Sequence, residues 1–345
     1  MNQVIQVPQT MNIPLFVGQG KIEYGEKPVP APGKGQLLLQ VKANALCGSD
    51  RSQYYEGSTT VPGHEAAGIV VGAGDGVTTA IGTPGVVFLM DFCGECRSCK
   101  LGFTNQCLNK RADYGFTHDG GYTPYIVVNE NVFFPIDPSI PLADATMLLD
   151  IMGTGGHAIK RAKLVHPDIR SVLIAGAGPI GLGVLAMAKL LLGEETPVFI
   201  MDYVDYRLEL AEKMGAIPVQ LAIQSVQEVI KAAGLEGADI AIDTSGKTSG
   251  RRTSLEALNQ RGVLVCVGHG QELNVGVSND LIAPERAVLG SEYFQFNELA
   301  ENHALILKHL PYLRQIITHR YGLDQIQEAY ELFFQGNTGK VLIEQ

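Results

Sequence analysis

VLIAGAGPIGLGVLAMAKLLLG, residues 172–193, decides the fold of this chain. The stretch is long and apolar enough to cross a bilayer, but Gly176, Gly178, Pro179 and Gly181 cut it into a short strand, a turn and a helix. The turn, Gly176-Ala177-Gly178-Pro179-Ile180-Gly181, has G-x-G-x-x-G spacing between an apolar strand and a helix, the context of a dinucleotide-binding motif. Glycines there permit a tight turn and let the backbone approach a pyrophosphate, whose charge the helix N-terminus stabilises. VFIMDYVDYR then puts Asp202 at the end of the next strand. A carboxylate at that point accepts both ribose hydroxyls of NAD and repels the extra phosphate of NADP. NAD is therefore the expected cofactor, with Asp205 the rival acid. Arg207 reads equally as a flank of the adenosine and as a solvated helix cation.

Outward from this motif the texture alternates. Strand-like runs at 172–175, 198–201, 239–243 and 263–267 are interleaved with helical patterns from 179 and at 206–214, 226–233 and 255–258. Such alternation predicts a parallel sheet covered by helices on both faces, an α/β doubly wound unit. Before residue 150 the chain reads instead as short strands broken by Gly and Pro, at 36–41, 69–72, 86–89 and 125–128. That pattern predicts a small, mostly β domain. After about residue 290 helices are expected at 299–308 and 324–334, with a closing strand at 340–343. At 345 residues two domains are the natural expectation.

Cys93, Cys96, Cys99 and Cys107 form a C-x2-C-x2-C-x7-C comb. Four thiolates on one excursion suit a closed tetrahedral zinc site that fixes a loop and does no chemistry. A disulfide framework is the alternative, but the composition is that of an intracellular globular protein: 46% apolar, 18% charged. Residues 1–10 show no basic n-region followed by an apolar stretch, so no secretory signal is expected. A net charge of -10 without basic clusters argues against nucleic acid or an anionic membrane as partner. A cytoplasmic enzyme acting on a small molecule fits these properties.

A second set of donors is scattered. Cys47 lies in A-L-C-G-S-D, His64 and Glu65 in V-P-G-H-E-A-A-G, and Asp150 in M-L-L-D-I-M-G-T-G-G-H. A thiolate, an imidazole and a carboxylate, with one open position, make a catalytic zinc shell. Each also reads as an ordinary residue: a buried Cys, a turn His, a helix-start Asp.

Together the motifs resemble the zinc-dependent medium-chain dehydrogenase/reductases, the family of alcohol, polyol and threonine dehydrogenases. The likeness rests on C-G-S-D, G-H-E-x-x-G with Gly68 and Gly74, the cysteine comb, D-G-G-Y at 119–122, A-G-A-G-P-I-G and the closing G-K-V-L-I, in the family's order. It implies a GroES-like catalytic domain, residues 1–152 plus 290–345, with its zinc lobe at 91–108. A Rossmann domain, residues 153–289, interrupts it. Cys47 and His64 become catalytic zinc ligands, Asp150 takes the position where relatives carry Cys or Glu, and Glu65 is a direct ligand or one shell out. His157 is read as a packed helix residue.

The implied reaction is reversible oxidation of an alcohol to a ketone or aldehyde, with hydride passing to NAD. Ser49 would take the hydroxyl proton, while Thr154 and His269 would lie near the nicotinamide. Ser52 stands where many relatives carry a relay histidine, and serine is no base near neutral pH. AIGTPGVVF, residues 80–88, replaces a more regular family pattern. Leu89, Tyr114, Phe116, His118 and Tyr293 are the pocket candidates. C-G-S-D with a carboxylate third ligand leans toward polyols, sugars or cyclitols. The alternatives are an aldehyde or ketone reductase of the same family and a non-catalytic nucleotide-binding protein. A homo-oligomer, dimer or tetramer, is expected from the family.

Overall fold

The computed structural model describes residues 7–345. The reading of residues 1–10 falls partly outside the described residues. The stretch 172–193 divides as expected, into the strand Val172–Ala175 and the helix Pro179–Leu192. Among the described residues no helix is long and apolar enough to cross a membrane.

Every residue of Val172–Ala175 is buried, because helices cover both faces of its sheet. Six strands form that sheet in the order Ile217–Gln220, Val198–Asp202, Val172–Ala175, Ala238–Asp243, Leu258–Cys266, Ala287–Gly290, and every neighbouring pair is parallel. The chain runs from Val172–Ala175 to one side of the sheet and then returns to build the other. A crevice therefore opens beyond the C-terminal ends of Val172–Ala175 and Ala238–Asp243, the usual place for a ligand in such sheets.

The second large sheet has seven strands and is mainly antiparallel. Gln36–Ala45 lies in its middle, pairing with Ala66–Ala73, Tyr125–Asn129 and the C-terminal Lys340–Glu344. Its register brings residue 340, late in the chain, beside strands built from the first hundred residues. The irregular stretch 80–88 joins this sheet as Pro84–Val87, paired with Ala66–Ala73. Pro84 lacks an N–H donor and sits at the strand's first residue, where that loss is tolerated. The cysteine comb is a separate excursion, closed at its base by pairing of Met90–Asp91 with Ala112–Asp113 and by the Arg111–Asp91 ion pair at 2.6 Å.

One local expectation needs correction. The helix expected at 255–258 is the end of Thr248–Glu256, and Leu258 already opens the next strand. The strand's apolar run at 263–267 is legible, but its opening, Leu258–Gly262, is polar and kinked at Arg261, which has φ 61, so the strand begins earlier than its pattern shows. Also unforeseen is the antiparallel hairpin Thr10–Gly18 and Lys21–Pro28. Its alternating burial slips at Ile13 and Pro14, both buried in succession, which blurs the period of two in the sequence, and a bulge shifts the pairing register between Phe16 and Gly18.

Candidate active site and metal centres

The Cys47, His64, Glu65 and Asp150 donor atoms lie within 4.8 Å of one another, although 103 positions separate Cys47 from Asp150. Cys47 follows Gln36–Ala45, His64 and Glu65 precede Ala66–Ala73, and Asp150 opens a wide π-helical turn, Asp150–Thr154. Such turns recur at functional sites because the extra residue redirects side chains. Here the turn directs both Asp150 and Thr154 into one cleft. Cys47 Sγ is 3.2 Å from Asp150 Oδ2, and His64 Nε2 is 3.4 Å from the same oxygen. A tetrahedral zinc with arms of about 2.0–2.3 Å has donor-to-donor edges of roughly 3.3–3.8 Å, so these separations fit the ion.

Charge balance points the same way. Burial opposes ionisation of Asp150, yet the His64 imidazole, Lys340 and the Cys47 thiol hold its carboxyl at about 2. Burial, together with the charge of Asp150, pushes both the Cys47 thiol and the Glu65 carboxyl upward. Burial also disfavours a charged His64, but Asp150 and Asp50 outweigh it and lift the imidazole well above its usual value. Asp150 Oδ1 and Glu65 Oε2 are buried without a hydrogen-bond partner. Buried polar atoms of native proteins rarely remain so, and a divalent cation would satisfy both oxygens and the thiolate.

Behind the cluster stands a buried polar scaffold. Asp50 is fully buried, with Oδ1 3.3 Å from His64 Nδ1. Its Oδ2 accepts from Tyr330 at 2.8 Å, from Tyr122 at 3.3 Å and from the Cys47 N–H at 3.2 Å. A carboxylate on the far nitrogen of a ligating histidine fixes ring and tautomer. Lys340, fully buried, forms an ion pair with Glu65 Oε1. None of Asp50, Tyr122, Tyr330 or Lys340 was read as functional. Three sit inside motifs that were noticed, C-G-S-D, D-G-G-Y and G-K-V-L-I, whereas Tyr330 carries no local signal.

The cysteine comb closes as spaced. All six cysteines are free thiols, with Cys93, Cys96, Cys99 and Cys107 gathered into one group. Sγ separations of 3.5 Å for Cys93–Cys107 and 4.0 Å for Cys96–Cys107 bracket the ~3.8 Å edge of a zinc–thiolate tetrahedron. Backbone N–H groups of Cys99 and Leu108 hold the Cys96 thiol down at about 6, favouring the ligating thiolate.

A cleft of about 630 Å³ joins the buried cluster to the dinucleotide motif. Cys47, Ser49, His64, Asp150 and Thr154 line it from one side, and Ile180, Thr244 and His269 from the other. A continuing groove runs past Gly178, Pro179, Gly181 and Arg207. Gly176 has φ +95, and a Cβ on Gly181 would fall 1.9 Å from the Gly176 carbonyl oxygen, so the turn admits only glycine at both places. Asp202 Oδ2 accepts the Ala177 N–H at 2.7 Å and lies 3.9 Å from Arg207, while Asp205 instead bonds Gln220. His269 is at the rim, largely exposed and 3.3 Å from Glu292. Of the pocket candidates, Leu89, Phe116 and Tyr293 line the cleft; Tyr114 and His118 do not. Tyr114 is instead a buried acceptor for the Asn129 N–H. His157 is packed as expected, bonded to Glu298 at 3.0 Å.

Comparison with known proteins agrees with this geometry. Residues 33–138 match the alcohol dehydrogenase GroES-like domain, and residues 179–308 match the zinc-binding dehydrogenase domain. The L-threonine 3-dehydrogenase of Shewanella pealeana is 31% identical over 92% of this chain and 94% of its own. An uncharacterised zinc-type alcohol dehydrogenase-like protein of Escherichia coli K12 is 29% identical over 97% of this chain and 99% of its own. The solved structure of an E. coli CFT073 alcohol dehydrogenase complexed with NADH superposes with TM-score 0.88 at 24% identity, covering 98% and 100% of the two chains. Two zinc-competent donor sets, a glycine turn at the crevice and matches along nearly the whole length lead to one conclusion: the chain belongs to the zinc-dependent medium-chain dehydrogenase/reductases and is an alcohol dehydrogenase-type enzyme.

Proposed function

We propose that the protein catalyses reversible oxidation of a secondary alcohol to a ketone with NAD, acting on a polyol, sugar or cyclitol. The observation that carries this reading is the Cys47–His64–Asp150 donor set at the base of a cleft that also reaches Ile180 and Thr244 beside the glycine turn. Cys47, His64 and Asp150 would hold the catalytic zinc, with the free Glu65 oxygen available as a further donor, and Cys93, Cys96, Cys99 and Cys107 the structural one. Bound zinc supplies Lewis acidity toward a substrate oxygen, and bound NAD accepts the hydride equivalent.

The chain's own residues do the rest. Asp50, steadied by Tyr122 and Tyr330, keeps the His64 ring in place. Ser49 is exposed in the cleft and relays the substrate's hydroxyl proton, accepting it while handing its own proton outward to solvent. A solvent-open cavity runs from Ser49 past Ser52 to Glu56, so water replaces the absent relay histidine. Thr154 and His269 face the nicotinamide position. Gly176, Gly178, Pro179, Ile180 and Gly181 bind the pyrophosphate, and Arg207 adds positive charge in the same groove. NAD over NADP rests on Asp202, whose carboxylate is anchored to the Ala177 N–H of that turn.

Sheet membership supports a division into a catalytic domain, residues 1–152 plus 290–345, and a cofactor domain, residues 153–289. The strand Ala287–Gly290, AVLG, ends its sheet without charge or proline, and an unblocked edge of that kind favours pairing with a second copy. Val288→Lys should therefore lower the oligomeric state in light scattering. Free cysteines throughout support a reducing, cytoplasmic setting.

The test of the reaction is a screen for NADH formation over polyols, sugars, cyclitols, threonine and simple alcohols. One polyol-class substrate should stand well above the others. Activity confined to primary alcohols, or none at all, would reject the proposal.

A further inference from the structure

Tyr293 is held in a conformation its side chain does not favour. It lies at φ 47, in the left-handed region, where a bulky residue is a true outlier that persists only when its surroundings enforce it. Those surroundings are visible. Tyr293 packs on Phe294 at 4.3 Å and on Phe88 at 5.1 Å between ring centroids. Phe294 in turn fills the space over Gly153, where a Cβ would come within 2.3 Å of its ring. The loop is thus wedged against the π-helical turn that carries Asp150 and Thr154. Outside, the Asn105 side chain donates to the Glu292 carbonyl at 2.7 Å, and the Phe296 N–H donates to Thr104 at 2.8 Å.

What this enforcement presents to the cleft is a hydroxyl. Tyr293 is 8% exposed and lines the same chamber as Cys47, His64 and Asp150. Only the Leu89 backbone approaches the phenol oxygen, and among the described residues no hydrogen bond of good geometry engages the hydroxyl. Ser291 Oγ, two residues earlier and lining the same cleft, is likewise buried without a partner. An aromatic whose only task was packing would be served as well by phenylalanine, without a stranded donor.

We propose that the Tyr293 hydroxyl is a specificity-determining donor to a second substrate oxygen, on the carbon adjacent to the one oxidised, so that the cleft selects vicinal diols over mono-alcohols of the same skeleton. This rests on the dehydrogenase reading above and narrows its substrate class. A site built to bond a second hydroxyl rejects the analogue lacking it, because the donor then stays buried and unpaired. Removing the donor should cancel the preference without touching the metal cluster.

The test compares wild type with Tyr293→Phe, which keeps the ring and its packing, using 2,3-butanediol and 2-butanol. In NAD reduction, wild type should favour the diol by at least about a hundredfold in kcat/KM, and the variant by less than about tenfold. Calorimetric titration of the same alcohols into the NADH-loaded enzyme gives a readout independent of turnover. There the diol should weaken about tenfold or more in the variant, while 2-butanol is unchanged. Equal preference in the wild type, or an equal loss on both alcohols in the variant, would overturn the assignment. An enzyme that reduces NAD with neither alcohol is still decided by the titration, whereas failure of the whole alcohol screen rejects the dehydrogenase reading itself.

Discussion

Replacing Lys340 by methionine should unsettle the metal pocket, because it breaks a fully buried ion pair beside the ligands. Lys340 and Glu65 are both fully buried and ion-paired, and the other Glu65 oxygen already lacks a partner. Methionine fills most of the space but strands a carboxylate close to Asp150 and the Cys47 thiol. Breaking a buried pair from one side costs about 3–5 kcal/mol, because the remaining charge stays desolvated. For a domain of this size 1 kcal/mol shifts the midpoint by about 2–4 °C, so the variant should melt roughly 6–20 °C lower. Far-ultraviolet circular dichroism is the assay, since the chain has no tryptophan to report by fluorescence. The double variant Lys340→Met with Glu65→Leu removes both charges and should recover most of the loss, as apolar replacement of a buried pair is often neutral. If the single variant melts within 2 °C of wild type, the buried-pair argument is wrong. If the double variant melts no higher than the single, the loss comes from packing and not from charge.

Two other predictions concern the cofactor and the pocket. Asp202→Ala should lower kcat/KM for NAD by roughly 10- to 100-fold and raise relative use of NADP, since it removes charge-assisted bonds to the ribose and the repulsion of a phosphate; an unchanged NAD-to-NADP ratio would assign selectivity elsewhere. Asn105→Ala leaves the Glu292 carbonyl without its donor, which should speed amide hydrogen exchange across residues 291–296 and raise KM for the alcohol; unaltered exchange there would show that the cysteine lobe does not brace the pocket.

The parts of the fold legible in the sequence are those whose physics is local. Val172–Ala175 and Val198–Asp202 read as buried strands because a parallel sheet covered on both faces needs unbroken apolar runs. The glycine turn and the cysteine comb announce themselves because every participating residue lies within fifteen positions of the next. The catalytic cluster is different: Cys47, His64 and Asp150 meet only through the sheet and the π-helical turn, and the resemblance to a family supplied what spacing did not. The scaffold around it was invisible for the same reason. Tyr330 reaches Asp50 across 280 positions and Lys340 reaches Glu65 across 275, and a helix tyrosine or strand lysine announces neither partner. Tyr293 was noticed as a cleft residue, but its left-handed backbone and unpartnered hydroxyl arise from tertiary wedging by Phe294 and Phe88, which no local pattern encodes.

Zinc content bears most directly on the claim that Cys47, His64 and Asp150 form a second metal centre beside the cofactor crevice. Elemental analysis of the purified chain after mild dialysis should give two zinc ions per chain. Cys47→Ala should hold one, kept by Cys93, Cys96, Cys99 and Cys107, and should lose alcohol oxidation while still binding NADH. One zinc per wild-type chain, or a Cys47→Ala variant that keeps two ions and full turnover, would contradict the account.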